Sequence, residues 1–243
     1  MLRFSLLLLF AIYAVSISGK GQKCLKGGHH KPIPTGEDDL QECTIYAKSS
    51  CCYTDTTEEL AHTPVIKVNT TYWNRCGNLS NLCESYMKKI ECFYRCSPHT
   101  ARWAHHQYPG AIDSVPMCQS FCDDWYEACK NDLTCVNNWL TDWEIDEKGE
   151  NRCKNECIPY SEMYANGTDL CETMWGDSLK VSDSSCLCLQ MNEMDNEVIK
   201  LMEERLSSNS SSTRRSDEER DCHLKRDKIK QGDKVGKEGT KTH

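Results

Sequence analysis

The sequence predicts a mainly α fold with short β-strands, an α+β arrangement in one compact domain held by about nine disulfides. Three observations carry that expectation. The 243-residue chain has 18 cysteines, an even number that permits nine bridges and leaves no thiol over. They crowd into residues 43–189 without a long linker between them. Only 38% of residues are hydrophobic against 27% charged, so the core leans on covalent staples, each contributing about 2–4 kcal/mol by restricting the unfolded chain.

The elements follow from spacing. Cys118, Cys122, Trp125 and Cys129 stand at i, i+4, i+7 and i+11, one face of a helix expected over about residues 115–130. Pro116 falls in its first turn, after Asp113 and Ser114 as sources of a capping oxygen. A short second helix is expected around residues 135–139. Upstream, Cys83, Met87, Ile90 and Tyr94 mark a helix over residues 81–95, with Ser80 as N-cap. Pro98 stops it, because the residue before a proline is pushed out of the α region. Residues 146–151, with Gly149, read as a turn, and residues 161–168 as a loop into a helix near 169–175. Short strands are expected around residues 64–68 and at Lys180 and Val181. Residues 192–206 form an amphipathic helix with Met194, Val198, Leu201, Met202 and Leu206 on its apolar stripe.

The ends speak of the compartment. Residues 1–18 read as a secretory signal: Arg3 supplies the charge, residues 4–15 the apolar run, and Ser16, Ser18 and Gly19 small cleavage-site residues. That run is short for a membrane span, no other segment is apolar enough to cross, and the polar C-terminus lacks a lipid-anchor signal. A soluble, secreted product without membrane anchor is expected. The domain itself covers residues 19–191, opening on a Gly-, His- and Pro-rich arm stapled through Cys24. Residues 207–243 are Ser-rich, then basic, and are expected to be a disordered tail tethered at Cys222. In it Ser216-Asp-Glu fits a phosphate acceptor, with an unmodified solvated tail as the equal alternative. Asn69, Asn78, Asn166 and Asn209 open glycosylation sequons. A net charge of −8 excludes a generally basic nucleic-acid binder.

Catalytic signals are weak. The chain has no Gly-x-Gly-x-x-Gly, phosphate-binding loop or Gly-x-Ser-x-Gly elbow, and even pairing removes a thiol nucleophile. The Cys-x3-Cys pairs at 92/96, 118/122 and 153/157 have neither the spacing nor the compartment of zinc sites, so no metal is expected. The aromatics are more telling: six Trp and ten Tyr stand against four Phe. Trp and Tyr add a polar handle and a flat face to bulk, and Tyr94, Trp103, Trp125, Trp139, Trp143 and Trp175 are the candidates for a pocket taking a flat heteroaromatic ring. For any one of them, ordinary core packing is the competing reading.

The motifs Glu91-Cys-Phe-Tyr-Arg-Cys-Ser-Pro98, Val115-Pro-Met-Cys118, Cys122-Asp-Asp-Trp-Tyr-Glu-Ala-Cys129 and Asn138-Trp-Leu-Thr-Asp-Trp143 resemble the folate receptor and riboflavin-binding protein family. So do Cys157-Ile-Pro-Tyr-Ser-Glu-Met-Tyr-Ala-Asn-Gly-Thr168 and Ser185-Cys-Leu-Cys-Leu-Gln-Met191. The resemblance spans about residues 24–191. It implies a folate-receptor-like domain with the bridges Cys24–Cys51, Cys43–Cys92, Cys52–Cys96, Cys76–Cys157, Cys83–Cys129, Cys118–Cys188, Cys122–Cys171 and Cys135–Cys153. A ninth, Cys186–Cys222, goes beyond the receptors' pattern. It further implies a ring held between Tyr94 and Trp175, with Trp139 and Trp143 nearby. Where the folate pattern has a pterin-reading aspartate, two arginines and a histidine, this chain has Ile90, Tyr108, Ala111 and Leu140. The implied function is therefore a riboflavin carrier, not an enzyme, with no catalytic cofactor. It would be a monomer in plasma or egg fluid, releasing its ligand in acid and taken up through a receptor. The alternatives are a soluble folate binder and an egg-surface interaction relative without ligand.

Overall fold

The computed structural model describes residues 23–207 and 222–223. The signal segment, Asn209, Ser216 and the rest of the tail lie outside the described residues.

The arm from residue 23 is irregular apart from 3-10 turns at Thr44–Tyr46 and Thr54–Thr57, and leads into the single turn α1 (Glu58–Ala61). A small hairpin follows, β1 (Lys67–Val68) against β2 (Thr71–Tyr72). The longest helix is α2 (Asn81–Cys96); the Ser80 hydroxyl caps it by accepting from the Cys83 N–H, and Ser97 ends it in an extended conformation before Pro98. Its inner face buries Cys83, Met87, Ile90 and Phe93.

Next come β3 (Val115–Met117) and α3 (Gln119–Cys129), so the helix expected over 115–130 is shorter than its periodicity implied. Val115 and Met117 are buried with Pro116 between them half-buried, a period of two that belongs to a strand. β3 pairs in parallel with β8 (Leu179–Val181), and the Pro116 carbonyl accepts from the Leu189 N–H at 2.8 Å. Pro116 is thus a strand residue rather than a helix-starting one. Cys118 is the N-cap of α3 and makes no side-chain capping bond.

After α3 the chain makes β4 (Leu133–Thr134), β5 (Glu144–Ile145), β6 (Asn151–Arg152) and β7 (Ile158–Pro159). β4 pairs with β7, and β5 with β6 across the expected turn at Gly149. No helix forms at 135–139. The Asn138 carboxamide accepts from the Leu140 N–H and the Asp142 carboxylate from the Asn138 N–H, both at 2.8 Å. Side chains that bond their own backbone this way compete with the helical ladder. The loop expected over 161–168 instead holds α4 (Tyr160–Met163), and α5 (Gly167–Thr173) starts early because Asn166 accepts from the Asp169 N–H. Trp175 therefore lies just past that helix, not inside it. Last is α6 (Asp195–Ser207), where Val198 and Ile199 are buried while Leu206 is 82% exposed. Leu206 does not share the buried stripe; the helix has already left the body of the domain.

The nine bridges are Cys24–Cys51, Cys43–Cys92, Cys52–Cys96, Cys76–Cys157, Cys83–Cys129, Cys118–Cys188, Cys122–Cys171, Cys135–Cys153 and Cys186–Cys222. Helix α3 is the hub. It is bolted to α2 through Cys129 and to α5 through Cys122, and Cys118 at its start reaches Cys188. Trp125, on the same face, is wholly buried.

Candidate ligand cavity

A cavity of about 330 Å³ opens beside the C-terminal half of α2, within the size range of small-molecule sites. Six segments line it, the arm contributing His29. Ile90, Glu91, Tyr94 and Arg95 come from α2; Val68, Asn69, Thr71 and Trp73 come from the β1–β2 hairpin and its exit. Gly110, Ala111 and Ile112 close one side, Trp139 and Leu140 another, and Trp175 with Ser178 and Leu179 a third.

Each aromatic is held from behind. The Tyr94 hydroxyl donates to the Gly110 carbonyl at 2.7 Å. His30 meets the Tyr94 ring edge-on at 5.1 Å, and its Nε2–H donates to the Tyr94 carbonyl at 3.0 Å. Burial lowers the His30 pKa, and the charges of His29 and Arg95 add to the effect against the Tyr94 hydrogen bond. Burial likewise raises the Tyr94 pKa, with Glu91 adding. The Trp139 backbone N–H donates to the Met174 carbonyl at 2.7 Å, next to Trp175. The two indoles lie 5.9 Å apart at 55°. Gly176, at a φ of 57°, turns the chain directly after Trp175.

The Trp139 and Trp175 indole nitrogens are buried and have no hydrogen-bond partner among the described residues. The same holds for the indole nitrogens of Trp125 and Trp143, which lie outside the lining, so these donors do not mark the cavity; what its wall offers a ligand is flat aromatic faces. The two charges in the lining cancel, since Arg95 Nε donates to Glu91 at 2.8 Å.

Of the six aromatics expected at the site, Tyr94, Trp139 and Trp175 line the cavity together. The other three do not. Trp143 packs edge-on behind Trp139 at 5.3 Å, Trp103 leans on Phe93 at 6.0 Å, and Trp125 is sealed in the core. Trp73 is a wall that sequence reasoning missed; its place two residues beyond Thr71 puts both on one side of an extended segment, which was the available sign. Ile90, Ala111 and Leu140 stand in the lining, whereas Tyr108 is 65% exposed and outside it.

A larger and more open groove of about 750 Å³ runs between the arm, α2 and the start of α6, past Glu42, Glu84, Lys88, Lys89 and Met194. It offers no aromatic face, so a flat ring has nothing there to stack on. The sulfurs of Cys76, Cys135, Cys153 and Cys157 lie within 4.8 Å of one another. They belong to two abutting bridges, Cys76–Cys157 and Cys135–Cys153, and a bridged sulfur is no thiolate ligand. Asn69, Asn78 and Asn166 are all exposed.

The sequence profile described as "Folate receptor family" matches residues 23–190, and the chain belongs to that family. It is 63% identical over 202 residues to the riboflavin-binding protein of Dromaius novaehollandiae, covering 83% of this chain and 84% of that one. To the riboflavin-binding protein of Gallus gallus it is 62% identical over 200 residues, covering 82% and 83%. Against folate receptor alpha of Homo sapiens the identity is 33% over 178 residues, covering 69% and 68%.

Proposed function

We propose that this protein is a secreted riboflavin carrier that sequesters the isoalloxazine ring in the aromatic cavity and catalyses no reaction. One observation carries the reading: Tyr94, Trp139 and Trp175 converge on one cavity and offer it flat aromatic faces. A neutral, planar ring system answers that feature. Stacking contributes roughly 1–3 kcal/mol per ring by analogy with nucleobases. Ile90, Ala111 and Leu140 place no charge in the lining, which disfavours an acidic pteroylglutamate. The high identity to proteins named for riboflavin binding supports the same ligand.

The remaining features fit a carrier. Residues 1–18 act as the export signal, the amphipathic helix closes the domain, and the Ser-rich, basic tail hangs from Cys222. Nine bridges suit an oxidising compartment. Among the described residues no helix is long and apolar enough to cross a membrane. The carrier works as a monomer, is taken up through a receptor, and releases its ligand in acid, when buried groups behind the cavity take up charge.

The test is a fluorescence titration of riboflavin with the oxidised protein at neutral pH, with folate as competitor. Stoichiometric quenching by wild type, absent in Trp175→Ala and untouched by folate, is the expected result. A bright, unquenched flavin overturns the reading, and competition by folate turns it towards a folate binder.

A further inference from the structure

Asn69 stands on the rim of the aromatic cavity. It occupies the two-residue turn between β1 and β2, where Val68 pairs with Thr71, and its backbone is left-handed at a φ of 53°. Asparagine enters that region more readily than most side chains. The turn is anchored: the Asn69 N–H donates to the Glu59 carboxylate at 2.6 Å, tying the rim to α1. Asn69 itself is exposed, yet it lines the cavity together with Val68, Thr71 and Trp73.

Asn69-Thr70-Thr71 is also a glycosylation acceptor. The carboxamide that would carry the sugar and the threonine that completes the sequon are both wall residues of the same cavity. The other described sequon asparagines differ. Asn78 and Asn166 are exposed but line no part of this cavity, and Asn166 serves as the N-cap of α5.

We propose that an N-linked glycan on Asn69 forms the outer rim of the ligand cavity and slows the passage of the ligand in both directions; this rests on the riboflavin-carrier reading. The donor is a polyprenyl diphosphate-linked oligosaccharide of the secretory pathway. The Asn69 Nδ2–C1 bond forms as the C1–O bond to the diphosphate breaks; the polyprenyl diphosphate leaves and the amide gives up one proton. The sugar sits outside the stacked ring and adds no contact to it. It narrows the way in and the way out alike, so both rate constants fall together and their ratio holds. This behaviour separates a rim from a binding contact, which acts mainly on dissociation.

The experiment uses the full chain secreted from glycosylating cells, as wild type and as the Asn78→Asp, Asn166→Asp, Asn209→Asp variant that keeps Asn69 as its sequon, each before and after endoglycosidase trimming of the glycans to a single sugar. Peptide mass spectrometry reads occupancy at Asn69, and stopped-flow flavin fluorescence reads both rates. The expected result is an occupied Asn69 and, on trimming either protein, association and dissociation each faster by roughly threefold or more with an equilibrium constant within about twofold. The untrimmed variant should match untrimmed wild type. An unmodified Asn69, or equal rates with and without its glycan, overturns the inference while leaving the carrier reading in place. If no form binds riboflavin, wild type included, the carrier reading falls and this inference with it.

Discussion

The Tyr94 hydroxyl donates a 2.7 Å hydrogen bond to the Gly110 carbonyl, so one side chain both faces the cavity and ties α2 to the loop that closes it. The two roles are separable. Tyr94→Phe keeps the ring and loses the bond; the expected cost is about 1 kcal/mol of stability with a small change in riboflavin affinity. Tyr94→Ala removes the face as well and should weaken binding by roughly 1–3 kcal/mol. Urea unfolding and flavin titration, run on both variants, distinguish these outcomes. Undiminished binding by Tyr94→Ala would remove this residue from the site.

Trp175 and Trp125 should respond in opposite ways. Trp175 lines the cavity, and Trp175→Ala is expected to lower affinity by about tenfold or more, the equivalent of one stacking contact. Trp125 is fully buried on α3. Trp125→Phe opens a void there and should cost about 1–2 kcal/mol of stability while riboflavin still binds stoichiometrically. Equal loss of affinity in both would mean that the ring lies nearer α3 than the cavity does.

Acid should weaken the protein in two stages. His30 is half-buried behind Tyr94 and its pKa lies below the ordinary 6.5, mainly through burial, with His29 and Arg95 adding to it. The unfolded imidazole thus binds its proton first, so stability is full above 6.5 and falls as pH drops towards the lowered folded value. His99, lowered in the same direction chiefly by burial, shares this window, so His30→Asn should remove part of that first loss. The second stage belongs to carboxylates. Asp146, held down by the Glu150 backbone N–H and then by Arg152, has a pKa of about 2. Asp142 is lowered by the Asn138 backbone N–H and the Thr141 hydroxyl. Their contributions are present above the ordinary 3.8 and disappear as pH falls through the folded values. Urea midpoints and riboflavin affinity at pH 7.5, 5.5 and 3 check both stages. A flat profile between 7.5 and 5.5 would clear His30 of any part in acid release.

Local chemistry made some of this architecture readable. The ends of α2 were written in Ser80 and Pro98, because a cap and a stop act within a few residues. The start of α3 was not, because Val115-Pro-Met117 fits a helix by its distance from Cys122 and a strand by its alternation. Its strand partner lies at residues 179–181, a pairing that only the folded chain makes. The residues 135–139 failed as a helix for a local reason, the side-chain bonds of Asn138 and Asp142. The cavity was legible only in part. Composition flagged aromatics without telling walls from core, so Trp125 looked like Trp175. Trp73 reaches the site from a hairpin whose approach to α2 is tertiary.

The bridges should not be equal. Cys83–Cys129 joins the first turn of α2, whose other end lines the cavity, to the end of α3, and replacing both by serine should cost about 2–5 kcal/mol and weaken flavin quenching. Cys186–Cys222 joins the domain to its tail segment and is not among the cavity-lining residues. The Cys186→Ser, Cys222→Ser variant is expected to keep its riboflavin affinity while residue 222 becomes more open to protease. Loss of binding in that variant would show that the tail tether supports the site.

Gly167 is the tightest point between α3 and α5. A Cβ there would come within 2.6 Å of the Asp123 backbone nitrogen, the Asp123 carboxylate and the Cys122 carbonyl carbon. Two of those atoms are backbone, and the Cys122–Cys171 bridge stops the helices from parting. Gly167→Ala is therefore expected to destabilise the domain by about 1–3 kcal/mol, the range for overpacked sites. The strain should then spread to Trp175, which follows α5 directly and is held beside Trp139 through Met174. Affinity should fall with stability, and Asn166→Asp, which keeps a capping oxygen for the Asp169 N–H, should leave both close to wild type. If Gly167→Ala folds with wild-type stability, α3 and α5 are not in the close contact described, and the position of Trp175 would need another support.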